Sequence, residues 1–188
     1  MTLETEIHNY AMAKGFHPQT IQRWLNWAPA DGRALARVAL ALRISENHLR
    51  DLMDWLEEIA LRDGVNIHAV LSSKTVSEIE TDPRLGRPDK LKRIKDQIRR
   101  LRFPRLAASE DAVRAKIQEL KLHPEIRLTV PLGLEGGCVT IEFAASSHDD
   151  IKRLTKKLTE AAERNSMGEI FDLLGSHVTS EGRALGSR

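Results

Sequence analysis

The residues best suited to chemistry lie between Arg87 and Arg105, where RPDKLKRIKDQIRRLRFPR sets nine Lys/Arg against Asp89 and Asp96. That window carries +7 in a chain of net charge +2, so everything outside it sums to −5. A local positive stripe attracts polyanions. Within it Leu91, Ile94, Ile98 and Leu101 recur at steps of 3, 4 and 3, the spacing of one helix face. The pattern predicts an amphipathic helix over 89–102, docked by its apolar edge. Lys92, Arg93, Lys95, Arg99, Arg100 and Arg102 would then face outward and meet nucleic-acid phosphates. Pro104 ends the helix, because proline lacks an N–H and disfavours helical geometry in the residue before it. A solvated helix surface without a ligand is the competing reading.

A second constellation sits upstream. Ala39, Arg43, Ile44, Ser45, Leu49 and Leu52 follow the spacing of a helix-turn-helix, whose second helix enters the major groove. Its first exposed residues would be Glu46, Asn47, His48 and Arg50. Asparagine can read adenine and arginine guanine through paired hydrogen bonds. The turn lacks the usual glycine, and Asp51, Asp54, Glu57 and Glu58 along the same helix would repel phosphate. An ordinary helical bundle packed through Trp24, Leu42, Leu52 and Leu56 is the alternative.

Catalytic patterns are thin. The seven histidines are scattered, without the His-Glu-x-x-His pair of zinc hydrolases. Cys138 reads as a small strand residue rather than a nucleophile. Gly133 to Gly137 lacks the lysine and Ser/Thr of a phosphate loop, and His148-Asp149-Asp150 is explained by a helix cap. Trp24 and Trp27, three apart, suit packing better than base stacking. The expectation is a protein that is not an enzyme and uses no metal or cofactor.

The elements that must position these residues follow from punctuation and period. At 188 residues the chain has room for one domain or two small ones. With aromatics at 4%, cores must be built from Leu, Ile, Val and Ala. A lone cysteine excludes an intrachain disulfide and fits a cytoplasmic setting. The N-terminus lacks the pattern of a signal peptide, and no apolar run would span a membrane. Residues 1–80 read as a helical domain with eight bases and eleven acids. Helices are expected over 2–14, 18–27, 33–42, 45–62, 67–71 and 75–80, with a break at Pro29-Ala30-Asp31-Gly32. Residues 81–105 form a turn-rich linker and the basic helix. Residues 106–175 form an αββα module. It comprises a helix capped by Ser109, strands 126–130 and 138–144, a helix started by Ser147 and Asp150, and a last helical turn over 167–174. Residues 176–188 are expected to be a disordered tail. The fold class is α+β and predominantly helical.

Two strands alone leave exposed edges. Pairing the hairpin with that of a second copy is one solution, with Val139, Ile141, Phe143, Leu154 and Leu158 at the interface. Cover supplied by helices of the same chain is the other. The run from Asp111 through GGCVTIEFAASSHDDIKRLTKKL resembles the C-terminal dimerisation domain of ParB-type partition proteins. The resemblance implies a homodimer with a shared sheet that also holds DNA without sequence preference. It would give Lys152, Lys156 and Lys157 a DNA-contact role. No counterpart of that family's arginine-rich nucleotide-binding box lies upstream, so a nucleotide-dependent clamp is not implied. The reading that joins these features is a homodimeric duplex-DNA-binding protein of partition or regulatory type, with RNA as a further possible ligand. The alternative is an interaction adaptor whose basic helix grips an acidic protein partner or its own acidic N-terminal domain.

Overall fold

A computed structural model describes residues 2–182, with side chains through 175. It is predominantly helical with one two-stranded antiparallel sheet. The chain divides into two compact units, Met1–Pro104 and Arg105–Arg188. Among the described residues no helix is long and apolar enough to cross a membrane.

The first unit contains α1 (Leu3–Ala13), α2 (Pro18–Leu25), α3 (Pro29–Leu42), α4 (Glu46–Asp63), α5 (Ile67–Leu71), α6 (Lys74–Thr81) and α7 (Arg87–Arg102). Trp24, Leu35, Leu49, Leu52, Met53, Leu56 and Leu71 fill its core. Trp24 can be 1% exposed because its Nε1–H donates to Gly32 O at 3.2 Å, so no polar group is stranded. The break expected at Pro29-Ala30-Asp31-Gly32 is instead the first turn of α3. Proline is tolerated there, since the first-turn N–H groups have no intrahelical acceptor. Asp31 then accepts the His68 N–H at 2.7 Å, tying α3 to the start of α5.

Ala39, Leu42, Leu49 and Leu52 are all buried. The turn between α3 and α4 is three residues, and Arg43 closes α3 in the left-handed region (φ 54°, ψ 48°). That conformation costs a non-glycine residue roughly 1–2 kcal/mol, so the neighbours must hold it. The Tyr10 hydroxyl lies 3.0 Å from Ala39 O and 2.7 Å from Ile44 O, and Lys14 Nζ donates to Arg43 O at 3.2 Å. Burial pushes the Tyr10 hydroxyl pKa up, which keeps it a donor. Ser45 occupies the N-cap of α4, although its side chain makes no capping bond.

α7 is part of this first unit. Ile94 and Ile98 are both 0% exposed in its core, Leu91 packs against that core half-buried, and Leu101 is exposed at 37%. The expected helix over 89–102 therefore begins two residues earlier, with Pro88 in its first turn, and stops before Pro104.

The second unit contains α8 (Pro104–Glu119, beginning at the boundary), β1 (Ile126–Thr129), β2 (Thr140–Phe143), α9 (His148–Ala162) and α10 (Asn165–Gly182). Ser109 is not a cap. Proline followed by an Ala-rich stretch starts α8 five residues earlier, and Ser109 Oγ bonds back to Arg105 O at 3.3 Å. β1 pairs β2 with Ile126 opposite Phe143 and Leu128 opposite Ile141. The 132–137 connector is folded down. Leu134 enters the core at 1% exposure with φ 59°, between Gly133 and Gly136 at φ 76° and 80°. Two left-handed glycines on either side let the chain make that plug. Ser147 Oγ accepts the Asp150 N–H at 3.1 Å, and Asp150 reaches back to Ser146, so this cluster is a helix cap as expected. α10 runs to Gly182, well past the expected 167–174, so 176–182 are helical rather than a disordered tail. The remainder of that expected tail, 183–188, lies outside the described residues.

Candidate nucleic-acid interface

α4 and α7 meet along a ladder of charge. Lys95 Nζ lies 2.7 Å from Asp51 Oδ2, 3.2 Å from His48 Nδ1 and 5.2 Å from the centre of the Trp55 ring. Two turns on, the Arg102 guanidinium grips Glu58 with both arms, at 2.5 and 2.7 Å. Arg62 at the end of α4 donates to Leu101 O at 2.8 Å and Arg102 O at 2.5 Å, satisfying carbonyls that the end of α7 leaves without helical partners. At the other end Lys90 Nζ donates to Glu80 O at 2.7 Å.

The opposite flank of α4 is matched by α2. Arg23 sits 2.7 Å from Asp54 Oδ1 and forks onto Glu57 at 3.1 and 2.7 Å, while Trp27 Nε1 donates to Glu57 at 2.7 Å. Hydrogen bonding to Glu57 is the largest influence holding the Arg23 pKa above its ordinary value. All four acids that threatened to repel phosphate therefore carry a cation from α2 or α7. Spacing at i, i+3 and i+7 puts 51, 54 and 58 along one stripe with 57 beside it, yet in the fold two cation-bearing neighbours share them, α2 through Arg23 and α7 through Lys95 and Arg102. Nothing in the order of residues marked Arg23 as one of them.

The first turn of α4 divides in two. Glu46 turns inward, accepting the Thr20 hydroxyl at 2.5 Å and the His17 N–H at 3.0 Å. Those bonds, the hydroxyl first, hold its carboxyl below the ordinary glutamate range. Asn47, His48 and Arg50 are exposed. His48 Nδ1 accepts from the Lys95 ammonium, which puts the ring proton on Nε2 of an exposed residue.

The cations of α7 thus fall into groups. Lys95 and Arg102 are paired within the unit. Arg99 meets Asp96 at 3.5 Å, and both Arg99 and Arg100 are half-buried and partnered. Arg87, Lys92 and Arg93 are exposed and, among the described residues, form no ion pair, as do Arg43 and Arg50 near the start of α4. Asp82, the acid whose field reaches Arg93, is occupied by Arg84 through its side chain and backbone N–H, and its pKa is held down to about 2.

In the second unit, Ile126 and Leu128 of β1 are buried, while every residue of β2 is exposed, Ile141 at 38% and Phe143 at 40%. Val139 and Leu158 are half-buried. Leu154, expected at an interface between copies, is 2% exposed and lies in the core of its own unit, in one cluster with Val113, Ile126, Leu128 and Leu134. Lys152 and Lys156 are exposed, whereas Lys157 meets Glu125 at 2.6 Å beside Arg153. Among the described residues no His, Cys, Asp or Glu cluster could hold a metal ion.

Comparisons of the chain with protein-family models, curated proteins and solved structures gave no match.

Proposed function

We propose that the chain binds duplex DNA through its first unit, using α3 and α4 as a helix-turn-helix, and acts as a homodimer joined through β2 of its second unit. The observation that carries the reading is the start of α4. A three-residue turn with a left-handed Arg43 presents Asn47, the Nε2–H donor of His48 and Arg50, while the acids further along α4 are all matched. Those side-chain types suit base edges in a major groove about 12 Å wide. Double-stranded RNA is less suited, because its deep major groove does not admit a helix. The second copy is supported by the open edge of β2 and by Ile141 and Phe143 lying exposed beside buried strand partners.

The test is retention of a random duplex by purified, nucleic-acid-free protein between 50 and 200 mM salt. Binding should weaken steeply with salt, with a log–log slope near −0.9 per phosphate contact. Asn47→Ala with Arg50→Ala should cost affinity for a selected site more than for random duplex. A wild-type protein that ignores duplex DNA at low salt ends the proposal.

A second reading, the adaptor, is favoured by the Lys95–Asp51 and Arg102–Glu58 pairs, in which the basic helix already grips acids of its own domain. On that reading an acidic peptide binds at least as tightly as DNA of equal charge.

A further inference from the structure

Resting on the DNA-binding reading, we infer that α7 is divided along its length: Arg87 and Lys92 grip DNA phosphate beside the reading end of α4, while Lys95 and Arg102 only hold the helix in place. The argument begins with register. Lys95 meets Asp51 and Arg102 meets Glu58, seven residues apart on both helices, so α4 and α7 run parallel and in step. Carried back along both helices, the same register sets position 92 level with His48 and position 90 level with Glu46, the first residue of α4. Arg87 lies three residues further, about 4.5 Å beyond that level at the helical rise.

Charge separates along the same line. Toward the end of α4 every cation that faces it is matched, by Asp54, Glu57 or Glu58. Level with its start, Arg87 and Lys92 are exposed and make no ion pair among the described residues, whereas Arg93, about 200° round the helix from Lys95, lies on the side turned from α4, within the field of Asp82. Packed helices lie about 8–10 Å apart. A helix seated in a groove about 12 Å wide has the phosphate rim roughly 6 Å to either side. Side chains on the neighbouring helix, level with the seated end, therefore meet the rim rather than the bases. Such contacts set position and affinity without reading sequence.

Two variants of the full chain separate the halves, read by fluorescence anisotropy on a random duplex and by thermal unfolding. R87Q/K92Q should make the salt slope shallower by about 2, at roughly 0.9 per lost contact, with an unchanged unfolding midpoint. K95Q/R102Q should lower the midpoint and leave the salt slope of the folded protein as it was. If R87Q/K92Q binds with the wild-type slope, the division of α7 is overturned while DNA binding by α4 stands. If the wild-type protein shows no salt-dependent binding, both fall together.

Discussion

Lys95 Nζ lies 2.7 Å from Asp51 Oδ2, with the Trp55 ring beneath the same ammonium. This contact joins the most basic helix of the chain to the helix whose acids would otherwise repel DNA. One pairing therefore does two things: it anchors α7, and it removes an uncompensated carboxylate from α4. Its strength is modest, since Asp51 is 48% exposed. A double-mutant cycle of Lys95→Ala and Asp51→Ala, read by urea unfolding, should give a coupling of about 0.5–1 kcal/mol. A coupling indistinguishable from zero would mean that apolar packing alone holds α7.

Apolar packing is the larger contribution. Ile94 and Ile98 are both fully buried. Ile98→Ala should destabilise the first unit by about 2–5 kcal/mol, through lost burial and the cavity left behind. An α7 that unfolds separately, before the remainder of the unit, would show a distinct early transition in hydrogen exchange. The single core shared by α1–α7 predicts that it does not.

Arg43 offers a gain of stability. At φ 54° it occupies a conformation that glycine adopts without a Cβ penalty. Arg43→Gly should stabilise the fold by up to about 1 kcal/mol, with Tyr10 and Lys14 still bonded to the turn. On the DNA-binding reading the same variant loses affinity, because it removes an exposed cation from the turn that leads into α4. Tyr10→Phe removes the hydroxyl that bridges Ala39 O and Ile44 O and should cost about 1–2 kcal/mol.

Acid should weaken the protein. Glu46 is held low by the Thr20 hydroxyl and the His17 N–H, Asp82 by Arg84, and Glu125 by Lys157 and Arg153. For each, the native state binds fewer protons than the unfolded chain, so its contribution is present above the ordinary carboxylate range and is lost as pH falls. For Asp82 the loss continues down to about pH 2. Glu80 works the other way. Burial raises its pKa against the pull of Arg37 and Lys90, so its contribution is present below the ordinary glutamate range and is lost as pH rises through the elevated value. The lowered groups predominate, and the urea midpoint should drop between pH 5 and 2.5. Glu46→Gln should flatten that dependence, and an unchanged slope would show that its two bonds do not persist in solution.

The edge of β2 is tested by charge. Ile141→Asp and Phe143→Asp alter side chains that are 38% and 40% exposed in the single chain, so neither should disturb its secondary structure. Sedimentation equilibrium should find the wild-type protein dimeric and both variants monomeric. A wild-type monomer at tens of micromolar would remove the shared-sheet proposal.

Much of this molecule is written in local period. Steps of 3 and 4 among Leu91, Ile94 and Ile98 located α7, Pro104 marked its end, and alternation located both strands, because helices and strands repeat over a few residues of chain. Local signals misplaced what neighbours could override: Pro29 began a helix instead of breaking one, and α8 started at Pro104 ahead of Ser109. Which surface of α7 meets water was decided only by folding, since Lys95 and Asp51 are 44 positions apart, as are Arg102 and Glu58. Charge content is a property of the chain, whereas pairing depends on which helices lie side by side. The number of cations could therefore be read from the residues alone, and their division into paired and unpaired groups required the packed core that sets α7 alongside α4.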